Sequence, residues 1–60
     1  MAASELTKKA INQAFLDILA EKPLEKITVR DITERCGINR NTFYYHYQDI
    51  PALLEGILSD

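Results

Sequence analysis

The sequence predicts an all-α fold, a small three-helix bundle followed by the start of a fourth helix. Apolar residues recur at helical spacing in several separate segments, which is the pattern of helices that bury one face. Only two Gly and two Pro interrupt the chain, and its 47% of apolar residues is typical of a folded domain. Sixty residues are enough for one domain, 1–60, and hold no apolar run long enough to cross a membrane.

Helix 1 is predicted from about Glu5 to Glu21. Ser4 is expected to cap its N-terminus. Pro23 is expected to end it, because proline disfavours helical geometry in the residue before it. The apolar face repeats with the i, i+3, i+4 spacing of a one-sided helix and consists of Leu6, Ala10, Ile11, Ala14, Phe15, Ile18 and Leu19.

Helix 2 is predicted to be short and to begin directly after Thr28. Thr28 and Asp31 have the spacing of a capping box, and Ile27 and Ile32 stand where a hydrophobic staple forms. Gly37 follows at the place where a helix end needs a left-handed residue. The sequence therefore predicts a sharp turn at Gly37.

The same start signal repeats for helix 3, which is predicted from Arg40 to Tyr45 or His46, with Asn39 as its N-cap. Asp49 is expected to cap a fourth helix that tolerates Pro51 in its first turn. The apolar face of this fourth helix consists of Leu53, Leu54, Ile57 and Leu58.

Two short helices joined by a turn that contains Gly form the helix-turn-helix unit. Its inward positions are predicted to be Val29, Ile32, Cys36, Ile38, Phe43 and Tyr47. Helix 3 must then present Arg40, Asn41, Tyr44 and Tyr45 outward. In helix-turn-helix proteins this part of the second helix reaches base edges, where Arg can bind guanine and Asn can bind adenine. The exposed start of helix 2 at Thr28 suits a phosphate.

The charge distribution qualifies this interpretation. The chain carries a net charge of −2, whereas basic residues supply most non-specific affinity for DNA. Between Lys26 and Tyr47, four basic residues stand against two acidic ones, a balance of +2, and the remaining residues have a balance of −4. The positive charge is thus concentrated on the segment assigned to DNA, and the isolated domain is expected to bind weakly.

The stretch from Ile27 to Leu54 resembles the N-terminal domain of TetR-family regulators, most specifically in the run Thr42-Phe43-Tyr44-Tyr45-His46-Tyr47. The resemblance implies a homeodomain-like bundle with Gly37 and Asn39 as turn and cap. It implies base or adjacent backbone contacts from Arg30, Arg40, Asn41 and Tyr45. It implies phosphate contacts from Thr28, Thr42, Tyr44 and His46. Many members carry Lys where this chain has Ile50, which puts one phosphate contact in doubt.

The resemblance also implies partners. They are a double-stranded DNA operator, palindromic in sequence, and a second copy in a full-length homodimer that acts as a repressor. A small-molecule effector is expected only for the ligand-binding and dimerisation domain, which these residues lack. Because each apolar stripe is needed for the core, the isolated domain is expected to be mainly monomeric. A start without signal-peptide character and a lone Cys indicate the cytoplasm, and the resemblance implies a bacterial protein on the nucleoid.

Competing interpretations remain open at several residues. Cys36 is expected only to pack. His46 bonds either a phosphate or a protein group, Tyr44 and Tyr47 either pack or face outward, and Lys8 and Lys9 are either solvated or on phosphate. No cofactor, metal site or activated nucleophile is indicated, so an enzyme is not expected. The alternative class is a helical protein-interaction module that does not bind DNA. The net negative charge favours that alternative, and the polar outer face of helix 3 argues against it.

Overall fold

The structure, a computed structural model, describes the backbone of residues 2–59 and the side chains of residues 5–59. This part of the chain consists of helices α1 (Ala2–Leu19), α2 (Val29–Cys36), α3 (Arg40–His46) and α4 (Ile50–Leu58), with one 3₁₀ turn at Leu24–Lys26 and no strand. The all-α prediction is confirmed. No helix in the described range is both long and apolar enough to cross a bilayer.

The ends of α1 differ from the prediction. Its backbone is already helical at Ala2, so Ser4 lies inside the helix and is not its N-cap; the Ser4 side chain lies outside the described residues. At the other end the carbonyl oxygen of Ile18 accepts from the N–H groups of both Glu21 and Lys22, at 2.8 and 3.0 Å. This turn closes the helix before Pro23 does. The 3₁₀ turn that follows was not predicted, because three residues carry no periodic signal.

One hydrophobic core joins all four helices. Its fully buried centre consists of Phe15, Phe43, Ile11, Ile32 and Leu53. The two large side chains of the predicted α1 stripe that do not belong to it are those of Leu6, 64% exposed, and Leu19, 36% exposed. Both lie toward the ends of an 18-residue helix, whereas the helices packed against it have seven to nine residues. The core covers α1 only from Ile11 to Ile18, so Leu6 lies well outside it and Leu19 lies just past its last buried residue.

The α2–turn–α3 unit follows the predicted local signals. The Thr28 hydroxyl oxygen accepts from the Asp31 N–H at 3.1 Å, and the Asp31 carboxylate accepts from the Thr28 N–H at 3.0 Å. Gly37 is left-handed, with φ 74° and ψ 32°. The Thr33 carbonyl accepts from the N–H groups of Gly37 and Ile38. The capping box and the Gly turn are confirmed.

The predicted inward face is confirmed as well. Ile32, Phe43 and Tyr47 are buried, and the partly buried residues packed against them include Val29, Cys36 and Ile38. Thr33 is also buried, and its hydroxyl donates to the Arg30 carbonyl at 3.2 Å. The buried Thr33 hydroxyl is therefore accommodated, because its hydrogen bond offsets the loss of water.

Helix α4 begins as predicted, with the Asp49 carboxylate accepting from the Ala52 N–H at 2.9 Å. It approaches Tyr47 closely, because a Cβ at Gly56 would lie 3.0 Å from Cε1 of that ring. The Tyr47 hydroxyl donates to Oδ1 of Asn12 at 2.8 Å, which ties α1 to the end of α3. Leu58, predicted on the apolar face, is 74% exposed because it is the last residue of α4.

Each predicted apolar stripe contributes to the core, but its end members Leu6, Leu19 and Leu58 remain exposed. Large apolar side chains remain substantially exposed in the described part of the chain, namely those of Leu6, Leu16, Leu19, Leu24 and Leu58. A single domain of this size has too few helices to cover all sides of each one.

Candidate nucleic-acid interface

The outer face of α3 is polar and exposed. Phe43 takes up the buried side of this seven-residue helix, and Tyr47 fixes its end. The neighbouring side chains must therefore point outward. The exposed residues are those predicted, namely Arg40, Asn41, Tyr44 and Tyr45.

The N-terminal end of α3 leaves two hydrogen-bonding side chains unused. Oδ1 of Asn39 accepts from the Thr42 N–H at 2.8 Å and from the Thr42 hydroxyl at 3.0 Å. Asn39 is thus the predicted cap, and the proton of the Thr42 hydroxyl is already engaged. Within residues 5–59, Arg40 and Asn41 make no side-chain hydrogen bond or ion pair. They are free to bind a partner without giving up a contact.

The aromatic side chains on α3 are held in place by neighbouring rings. Tyr44 sets its ring edge against buried Phe43, with centroids 5.6 Å apart at 86°. Tyr45 and His46 make a similar contact at 5.1 Å and 90°. Tyr45 is nevertheless 79% exposed and Tyr44 48% exposed. Two phenol groups are therefore presented to the exterior, and that of Tyr44 lies one helical turn after Arg40 on the same face.

The start of α2 offers an anion fewer free N–H groups than the sequence suggests. The capping box uses the N–H groups of Thr28 and Asp31, which leaves those of Val29 and Arg30 without a backbone partner in the described range. Lys22 Nζ donates to the Asp31 carboxylate at 3.1 Å. The hydrogen bond from the Thr28 N–H, followed by that from Lys22, holds the pKa of the Asp31 carboxyl below its ordinary value. An incoming phosphate therefore meets two N–H groups beside an ionised carboxylate.

Two of the three Arg residues on α2 and α3 already have acidic partners. Arg30 Nε donates to Glu34 at 2.8 Å, and Arg35 Nη2 donates to both carboxylate oxygens of Glu21 at 2.8 Å. Glu34, by hydrogen bonding and by its charge, raises the pKa of the Arg30 guanidinium. On the described α2, turn and α3, Arg40 is the one Arg or Lys without an acidic partner. Within the described residues, the unpaired positive charges of the segment from Lys26 to Tyr47 are therefore those of Arg40 on α3 and Lys26 in the 3₁₀ turn.

The pairing of Arg30 with Glu34 was missed in the sequence, although its i, i+4 spacing on one helix is a recognised signal. The pair between Arg35 and Glu21 spans 14 positions and has no such signal. It links α2 to the turn that follows α1, so Arg35 has a structural role.

No group of His, Cys, Asp and Glu within the described residues is arranged to hold a metal ion. Cys36 is a half-buried free thiol whose pKa is raised by that burial. A protonated thiol packs as a small apolar group.

Comparison with known proteins places this geometry among regulators. Residues 11–57 match the family described as "Bacterial regulatory proteins, tetR family". The chain is 45% identical, over 87% of its length, to an uncharacterized HTH-type transcriptional regulator, YxbF, of Bacillus subtilis (strain 168). It is 35% identical, over its whole length, to the HTH-type dhaKLM operon transcriptional activator DhaS of Lactococcus lactis. It is 30% identical, over 90% of its length, to the class A tetracycline repressor from transposon 1721 of Escherichia coli.

These relatives are much longer proteins. The chain spans 14% of the Bacillus regulator, 32% of the Lactococcus activator and 25% of the tetracycline repressor. No solved structure matches it.

Proposed function

Because the chain belongs to the tetR family of bacterial regulatory proteins, we propose that it binds double-stranded operator DNA in a sequence-specific manner and regulates transcription. One observation carries the proposal above the others. The α2–Gly37–α3 unit presents Arg40 and Asn41 side by side, exposed and without a side-chain partner in the described structure. Unengaged donors at the N-terminal end of the second helix are what base recognition in the major groove requires.

In this proposal α3 lies in the major groove. Arg40 binds a guanine and Asn41 an adenine, at about 1–3 kcal/mol of discrimination for each good bidentate pair. Tyr45, highly exposed and next to His46, contacts a base or the adjacent backbone. Arg30 approaches a base from the first turn of α2. Glu34 already accepts a hydrogen bond from its Nε.

Phosphate contacts fix the orientation of α3 in the groove. We assign them to Tyr44 and His46 on α3, and to Thr28 with the free N–H groups at the start of α2. Thr42 is the weakest member of this set. Its hydroxyl proton is donated to Asn39, so a bond to a phosphate oxygen would cost that bond.

The larger assembly is proposed on the same basis. Regulators with this unit bind two half-sites about one helical turn apart, matched to the two-fold axis of a dimer. We therefore propose a palindromic operator, a homodimer and a separate domain for an effector. Repression is the proposed outcome, although the relatives named above include an activator as well as a repressor. The proposed site of action is the cytoplasmic nucleoid, and no catalytic activity is proposed.

The test is selection of bound sequences from a random DNA pool, followed by titration at several salt concentrations. Arg40→Ala should lower affinity for the best site by roughly 1–3 kcal/mol and relax the preference at one base pair. Tyr44→Phe should weaken binding to all sequences about equally. Lys9→Ala is the matched control, since it removes one exposed cation on α1 instead of α3 and should leave the selected sequence unchanged.

A consensus that is unchanged by Arg40→Ala would show that Arg40 does not read a base. Failure of the unmodified chain to bind any DNA at low salt would instead favour a protein-interaction module. That alternative is supported by the net charge of −2 and by the exposed leucines, of which Leu58 is 74% exposed.

A further inference from the structure

The ion pair between Arg30 and Glu34 engages only one edge of the guanidinium. Nε donates to Oε2 of Glu34 at 2.8 Å, and both side chains are exposed, at 75% and 64%. Neither terminal amino group of Arg30 has a partner within the described residues. Arg35 differs, because its Nη2 is bonded to both oxygens of Glu21. Arg30 is therefore paired through Nε, and its two terminal amino groups can still bind another partner.

A fixed Nε–H bond restricts the plane of the guanidinium. The group is rigid and planar, and its donors form a fork with fixed directions. When one edge is held by a carboxylate one turn further along the same helix, the terminal amino groups sample fewer orientations. Bidentate binding of guanine needs two coplanar N–H donors. Restriction before binding lowers the conformational entropy lost on binding.

The same bond changes which DNA group attracts Arg30. Glu34 places a negative charge against the guanidinium, so the pair carries no net charge and its attraction to an anionic phosphate is largely cancelled. A guanine edge is neutral and binds through directed hydrogen bonds, which the pair retains. Glu34 therefore penalises a phosphate contact by Arg30 more than it penalises a base contact.

We infer that Glu34 is a positioning residue that directs Arg30 to a base edge and away from phosphate, so that it lowers non-specific affinity and raises sequence discrimination. The inference rests on the proposed function. It assigns to an acidic side chain on the DNA-facing side a role in specificity, although that side chain contacts no base itself.

The experiment compares Arg30→Ala, Glu34→Gln and Glu34→Ala in the 60-residue chain, immobilised at high density on beads so that weakly bound DNA is retained during selection. Anisotropy titrations with selected and scrambled duplexes at several salt concentrations then give discrimination and salt slope. Glu55→Gln is the matched control, since Glu55 is exposed on α4 and its side chain has no partner in the described structure. Circular dichroism confirms that each variant is folded.

Arg30→Ala should reduce discrimination at one base pair by roughly 5- to 150-fold, the range of a bidentate contact. Glu34→Ala should reduce discrimination at that same base pair by about twofold, the value of an exposed i, i+4 pair. It should also tighten binding to scrambled DNA and steepen the salt slope by about 0.9, the value of one added phosphate contact. Glu34→Gln should tighten scrambled binding in the same way but retain part of the discrimination, because its amide oxygen still accepts from Nε. Glu55→Gln should leave discrimination unchanged.

Three results would overturn the inference while leaving DNA binding intact. The first is an unchanged base preference in both Glu34 variants. The second is an unchanged preference in Arg30→Ala, since Arg30 would then read no base. The third is an equal effect of Glu55→Gln and Glu34→Gln on discrimination. Absence of binding by the unmodified chain would overturn the proposed function, and this inference with it.

Discussion

Replacement of Gly37 measures the free-energy cost of a left-handed backbone without a steric clash of the new side chain. Gly37 has φ 74°, and a Cβ built on it would meet no atom within 4 Å. Any loss of stability on Gly37→Ala therefore arises from the left-handed backbone alone. An L-residue in that region costs on the order of 1–2 kcal/mol, and a β-branched residue costs more.

The predicted order of stability is Gly37, then Gly37→Asn, Gly37→Ala and Gly37→Val. Asn is the control, because it tolerates the left-handed region better than other residues with a Cβ. For a domain of this size about 1 kcal/mol corresponds to roughly 4–8 °C in Tm. Gly37→Ala should thus lower the Tm by about 4–16 °C, and Gly37→Val by more.

The measurement is thermal and urea unfolding followed by circular dichroism at 222 nm. A Tm for Gly37→Ala that equals that of the unmodified chain would refute the left-handed turn. Equal losses for Asn and Ala would show that positive φ is not the cause, because the two residues differ in their tolerance of it.

Three further predictions follow from contacts elsewhere in the domain. Gly56→Ala gains about 1 kcal/mol in helix propensity but places a Cβ 3.0 Å from the buried Tyr47 ring. Since overpacking costs about 1–3 kcal/mol, urea unfolding should show a net loss of stability. A net gain of stability would mean that the ring moves to make room for the methyl group. Asp31 has its pKa lowered from 3.8 by its hydrogen bonds, so its stabilising contribution is present above that value and is lost as pH falls through the lower folded pKa. Asp31→Asn should flatten the loss of stability below about pH 4, and acid unfolding curves that decline equally steeply would contradict this. Fusion to a dimerising partner should raise apparent affinity for a palindrome by about 10²- to 10⁴-fold over the free chain, and equal affinities would exclude dimerisation as the main determinant of operator binding.

Local signals made the α2–turn–α3 unit predictable. Thr28, Gly37 and Asn39 act through neighbours within a few residues, so spacing alone identifies their roles. The limits of α1 were not predictable in this way, because burial of Leu6 depends on how far the shorter helices reach along it. Tertiary packing, not periodicity, decides that.

The candidate site also combines features that local signals predict with features that only tertiary packing decides. The exposure of Arg40 and Asn41 follows from the helical period once Phe43 is placed inside. The partner of Arg35 lies in the turn that follows α1, 14 positions away, and such a pairing exists only in the folded chain. The number of unpaired positive charges on α2 and α3 is therefore a property of the tertiary structure.

Helix α3 has only seven residues and buries one of them, Phe43. An isolated helix shorter than about 12–15 residues is marginal in water, so the α3 surface exists only while the surrounding domain is intact. Recognition and folding then share one equilibrium, and the apparent dissociation constant is the intrinsic one divided by the folded fraction. A core substitution far from α3 would weaken DNA binding in the same proportion as it depletes the folded state, and added DNA would raise the melting temperature.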